Sequence, residues 1–143
     1  MLLPRRSLLL AGASLLVPTV PALAGPTPAP KGAYLYFIRP RDRQKVRSPV
    51  LVVFGLRNMG VAPAGVRKPN TGHHHLFIDV AEPLDPSVAI PQDKQHLHFG
   101  AGQTETLLEL PKGRHTLQLV LGDADHIPFD PPVVSKKIHI IVV

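Results

Sequence analysis

Residues 114–123 read RHTLQLVLGD, and leucine at every second position decides the fold class. Successive side chains of a strand point to opposite faces, so Leu117, Leu119 and Leu121 form one apolar row while Thr116 and Gln118 face the other way. A helical period would spread the same leucines around a cylinder. The stretch HHHLFIDV (73–80) alternates in the same manner: His74, Leu76, Ile78 and Val80 share one face, and His73, His75, Phe77 and Asp79 the other. Further β-rich runs are AYLYFIRP (33–40), SPVLVVFGL (48–56), QHLHFG (95–100), TETLLELP (104–111) and VVSKKIHIIVV (133–143). The 17 prolines and 11 glycines fall between them at short intervals, and no segment carries a helical period. The pattern predicts an all-β domain, an immunoglobulin-like antiparallel β-sandwich of about seven strands, with an open barrel as the alternative.

Working outward to the ends, the chain begins MLLPRRSLLLAGASLLVPTVPALAGPTP. Two arginines, an apolar run over residues 8–17 and Ala22-Leu23-Ala24 have the order of a cleavable export signal, so residues 1–24 are expected to be removed. Arg5-Arg6 before Ser7-Leu8-Leu9 also resembles a twin-arginine signal, which leaves the secretory and folded-export routes both open. The expected location is periplasmic or secreted, with no membrane span after cleavage, because the apolar run falls short of the ~20 residues a membrane helix needs. Residues 25–32, rich in proline, read as a linker. Residues 33–143 read as one domain.

Removing Arg5 and Arg6 from the 16 basic residues leaves 14 against 10 acidic ones, a net charge of about +4. The densest basic stretch, from Arg39 to Arg47, has no interleaved aromatic residue and reads as a solvated turn, so a nucleic-acid partner is not expected. Cysteine is absent. That excludes disulfides, thiolate metal sites and cysteine nucleophiles. No serine elbow or phosphate-binding glycine loop is present.

Histidine carries the remaining chemistry. Five of the eight histidines lie between His73 and His98. If strands 73–80 and 95–100 pair antiparallel, opposed side chains come within about 5 Å of one another and two histidines from each strand can converge on one ion. The expected ligands are His73, His75, His96 and His98, with His126, in the turn LGDADHIPFD beside Asp123 and Asp125, as a fifth. Imidazole suits copper(II) or zinc. His74 is expected to point inward and act structurally, His115 to end a core-facing row, and His139 to face solvent. The glycine- and proline-rich loop NMGVAPAGVRKPNTG (58–72) delivers the chain to His73, and Gly72 is expected to allow a close backbone approach. A metal-bound water with Glu105 as general base would make an enzyme, but nothing in the sequence places Glu105 at the histidines, and a non-enzymatic module is expected. The rival reading is an envelope interaction module whose histidines form a hydrogen-bonded outer face for a partner protein or glycan, without metal.

GHHHLFID, then QHLHFGAGQTETLLELPKGRHTLQLVLGDADHIPFDPPVVS, resembles the exported bacterial family catalogued as domain of unknown function 4399, with its blocks GHHHLLID, HLHFGxGQTE and HTLQLxLGDxxHxPHxPP. MGVAPAG (59–65) matches as well, and the resemblance spans about residues 33–143. It implies an exported β domain and brings no activity. One departure falls at Phe129, where the pattern has a histidine, so any ligand set in this chain rests on His73, His75, His96, His98 and His126.

Overall fold

The computed structural model describes residues 26–143, and the expected export signal lies outside them. Among the described residues there is no helix, and the strands are β1 (Tyr34–Arg39), β2 (Lys45–Val46), β3 (Val50–Arg57), β4 (Gly60–Val61), β5 (Thr71–Ile78), β6 (His96–His98), β7 (Glu105–Leu108), β8 (Gly113–Gly122) and β9 (Ile138–Val142). They form a three-stranded sheet, β1-β3-β7, and a six-stranded sheet, β2-β9-β8-β5-β4, in which β6 also pairs with β5. All seven runs expected from alternation contain a strand. The two-residue strands β2 and β4 add parallel pairings to β9 and β5.

The two sheets face each other across one apolar core, which makes the domain a β-sandwich. Val50, Val52 and Phe54 of β3 and Leu108 of β7 meet Leu76 and Ile78 of β5, the Leu117-Leu119-Leu121 row of β8, and Ile138, Ile140 and Val142 of β9. Leu76, Leu117, Leu119 and Ile140 are wholly buried. Each such aliphatic side chain contributes about 1.5–3 kcal/mol by leaving water. Gly72 stands where β5 crosses this layer: a methyl group there would lie 2.6 Å from the Gly122 carbonyl oxygen and 2.9 Å from Phe129.

The outer face of the six-stranded sheet departs from the sequence expectation. Parity places His73, His75 and Phe77 there as anticipated, yet none of them reaches solvent. The chain between β5 and β6 folds back over the sheet, and Val80 and Ile90 join Phe77 and Val120 in a second, smaller core flanked by Leu84 and Val134. The expected linker is also partly built into the domain. Thr27 and Ala29 exchange backbone hydrogen bonds with Asp130, and the Thr27 hydroxyl donates to Asp123 Oδ2 at 2.6 Å.

Candidate functional site

Four of the histidines meet under this covering layer. Antiparallel pairing of β5 with β6 sets His75 opposite His98, while pairing with β8 sets His73 opposite Gly122 and His75 opposite Val120. His126 arrives from the turn after β8 with φ of 66°, a left-handed conformation that a non-glycine residue adopts only when its surroundings hold it there. Asp123 does the holding: its Oδ1 accepts from the backbone N–H groups of Asp125 and Ile127, and its main chain bonds both His126 and Ile127. Two loops clamp the turn from outside. Gly65 N–H donates to the Ala124 carbonyl, Ile90 N–H donates to the His126 carbonyl, and Arg67 pairs with Asp125 at 2.7 Å.

The rings of His73, His75, His98 and His126 lie with centroids 4.8–5.8 Å apart. Nε2 of His73 is 3.1 Å from Nε2 of His75, and Nε2 of His98 is 3.1 Å from Nε2 of His126. His73, His98 and His126 each offer a ring nitrogen within 4.8 Å of the others. Glycine makes the room. A methyl group on Gly122 would sit 2.9 Å from His75 Nε2, and one on Gly100 would overlap the His98 ring. His73 and His75 are fully buried, whereas His98 and His126 are half-buried and form the open side.

Burial favours the neutral form of His73, His75 and His98. It lowers the His75 pKa to about 2, helped by the positive charge that His73, His98 and His126 would carry. His73 falls to about 4, by burial first and then by repulsion from His126 and His98, against a partial offset from Asp123. His98 is lowered by burial and by His126. A neutral imidazole keeps a lone pair for a cation. Among the described residues, Nδ1 of His73 and of His75 has no hydrogen-bond partner.

The other expected site residues are elsewhere. His96 shares its face with His98 but stands two residues along β6, where its ring packs edge-on against Phe77 and its Nδ1 lies 2.8 Å from Asp93. Thus the structure gathers His73, His75, His98 and His126 and leaves His96 outside. His74 points into the main core, 5.1 Å from the Phe54 ring, with neither nitrogen hydrogen-bonded among the described residues. Burial lowers its pKa to about 4, and the Gln103 backbone opposes this without reaching hydrogen-bond geometry. Phe129, at the position where a histidine was anticipated, is 1% exposed and packs in the main core beside Gly72, on the other side of the sheet from the imidazoles. Glu105 lies on β7, in the other sheet and exposed, so it is no general base for this site. His139 is exposed as expected.

His115 has a partner that strand parity alone does not reveal. Its Nδ1 lies 2.7 Å from Asp79 Oδ2 and its Nε2 2.9 Å from the Pro111 carbonyl. Both partners only accept, so both ring nitrogens donate when the ring is protonated. Burial lowers the pKa of His115, but the hydrogen bonds to Asp79 and Pro111 and the Asp79 charge outweigh it and raise the value overall. Asp79 was legible only as an acid at the end of an alternating strand. The space-making roles of Gly100 and Gly122 had no signal beyond their being glycine next to His98 and Asp123.

No curated protein and no solved structure matches the chain. Residues 52–143, which include all four converging histidines, match the family model described as Domain of unknown function (DUF4399), and the chain belongs to that family.

Proposed function

We propose that this is a non-enzymatic metal-binding module of an exported protein, holding copper(II) or zinc through His73, His75, His98 and His126. The observation that carries the reading is the convergence of four imidazoles, two of them buried and neutral, with paired Nε2 atoms 3.1 Å apart. Tetrahedral zinc with bonds of 2.0–2.1 Å sets its nitrogens about 3.3 Å apart, so each pair is already close to a ligand edge. Across the pairs, ring nitrogens of His73, His98 and His126 lie within 4.8 Å of one another. A set of neutral imidazoles suits borderline ions such as copper(II) and zinc better than calcium or magnesium. Asp123 supplies nearby negative charge, and its oxygens are committed to Thr27 and to the turn, which supports a binding role over general-base chemistry.

The test is elemental analysis of untagged protein that has met no metal column, followed by titration of the metal-free chain. His98→Ala and His126→Asn are the informative variants, since both positions are half-buried and asparagine tolerates the left-handed backbone at 126. Near-stoichiometric zinc or copper, lost in the double variant, supports the reading. Metal at 100 times its dissociation constant should stabilise the fold by about 2.7 kcal/mol. A melting temperature that neither ion moves would refute it. That result would favour a metal-free pair of imidazole hydrogen bonds, for which the two 3.1 Å contacts are also suited. The burial of His73 and His75 speaks against the version of that reading in which all the histidines present themselves to a partner protein.

A further inference from the structure

The three-stranded sheet presents its outer face very differently from the six-stranded one. Its inward row is Leu35, Val50, Val52, Phe54 and Leu108, so the alternate positions look outward. These are Tyr34, Tyr36 and Ile38 of β1, Leu51 of β3 and Leu107 of β7, with exposures from 38% for Leu51 to 66% for Leu107. Register joins them into one surface. Leu51 stands opposite Leu107, Tyr36 lies over Gly55, and the Tyr34 and Tyr36 rings are 5.6 Å apart. A contiguous apolar patch of this kind marks an interaction site on a folded domain.

Charge surrounds the patch unevenly. Ile38 and Leu51 also line a groove of about 740 Å³ whose other walls include Arg39, Arg41, Lys45 and Arg47, and which has no carboxylate among its lining residues. Among the described residues none of these four cations is ion-paired, whereas the adjacent Arg43 is engaged by Asp42. At the opposite end of β1, Arg57 lies 5.3 Å from the centre of the Tyr34 ring. Two carboxylates stand on the β7 edge of this face, Glu105 opposite Val53 and, by the same alternation, the exposed Glu109 just beyond Leu108.

We propose that this face docks on the surface of an anionic phospholipid bilayer. Tyrosine places an apolar ring and a wet hydroxyl at the boundary between headgroups and acyl chains. The aliphatic tips of Ile38, Leu51 and Leu107 supply buried apolar area, and the groove cations meet the lipid phosphates. A second copy of the chain would cover the apolar patch, but it carries the same net positive charge and sets one cationic surface against another. A soluble polyanion would satisfy the cations and leave Leu107 and Tyr34 in water. Only an anionic apolar interface answers both halves of the surface.

The experiment is flotation of the full chain with vesicles of phosphatidylcholine and phosphatidylglycerol, against phosphatidylcholine alone. All proteins carry Leu9→Glu and Leu15→Glu, so that the apolar run at residues 8–17 does not insert by itself. The chain should float with the anionic vesicles, less so in high salt, and not with the neutral ones. Arg41→Gln with Lys45→Gln should weaken binding by about 25-fold, roughly fivefold per cation. Ile38→Ser with Leu107→Ser should abolish it while leaving the urea midpoint unchanged, since both side chains are largely exposed. Vesicle binding unchanged by either pair overturns the proposal. So does a chain that ignores vesicles and instead sediments as a dimer dissociated by Leu107→Ser, or instead binds soluble polyphosphate.

Discussion

Replacing His74 by leucine should stabilise this protein, and the gain should grow in acid. His74 is 1% exposed, and neither ring nitrogen has a hydrogen-bond partner among the described residues. An unsatisfied buried polar group costs about 1–3 kcal/mol, and leucine has a similar volume and keeps an apolar contact with Phe54. At pH 7 the variant should therefore gain about 1–3 kcal/mol, less any strain from the change of shape. Acid adds a second contribution. Burial lowers the pKa of His74 from 6.5 to about 4, so as pH falls through this window the unfolded chain takes up a proton that the native ring refuses. Native stability is lost over that range at about 1.4 kcal/mol per pH unit, which amounts to about 3 kcal/mol by pH 4. Leucine removes this loss. The assay is urea unfolding followed by far-ultraviolet circular dichroism at pH 7 and pH 5, with the midpoint read at constant slope. A variant less stable than the parent at pH 7, or a gain that does not widen at pH 5, would show that the ring is hydrogen-bonded in solution.

Gly122→Ala would press a methyl group to 2.9 Å from His75 Nε2 and 3.4 Å from Ile90, so it should cost about 1–3 kcal/mol and weaken zinc or copper uptake about tenfold in a calorimetric titration. Phe129→His should lower the unfolding free energy by about 2–4 kcal/mol without raising metal stoichiometry, because the side chain faces the main core; an added equivalent of metal would contradict that placement. Asp79→Asn removes the charge and one of the two oxygens that accept from His115 Nδ1 and from the Thr116 N–H group, so one of these bonds is lost, at an expected cost of about 1–2 kcal/mol. Because the native pKa of His115 is raised, its contribution is full below the unfolded value of 6.5 and fades as pH rises through the native one, so the deficit should be larger at pH 6 than at pH 9.

Alternation exposed the layers because each strand buries one face: the rows at 74-76-78 and 117-119-121 name the core side directly. It also set the His73 and His75 face beside the His96 and His98 face if the two strands pair antiparallel; the register that puts His75 across from His98 is not contained in the two patterns. Exposure was not legible in the same way. Whether an outer face stays wet depends on what folds over it, and Leu84 and Ile90 lie in a loop without period. Val80, expected in the His74-Leu76-Ile78 row, instead joins the covering layer because the strand ends at Ile78 and Asp79 turns left-handed with φ of 55°. His96 was inseparable from His98 by parity; what separates them is distance along the strand and the carboxylate three residues earlier at Asp93. The short strands β2 and β4 carry no pattern at two residues each, and their pairing follows from the loops that Gln44 and Asn70 close.

The imidazole cluster is assembled by pieces that are far apart along the chain. His126 reaches His73 across 53 positions, and the Thr27 hydroxyl that braces Asp123 comes from 96 positions away. No local segment can preform such a site, and every covering loop must be home before the four rings face one another. Any ion that they hold is thus held only by the finished fold, and its retention would record whether the N-terminal segment, both clamping loops and the sheet have all been put in place.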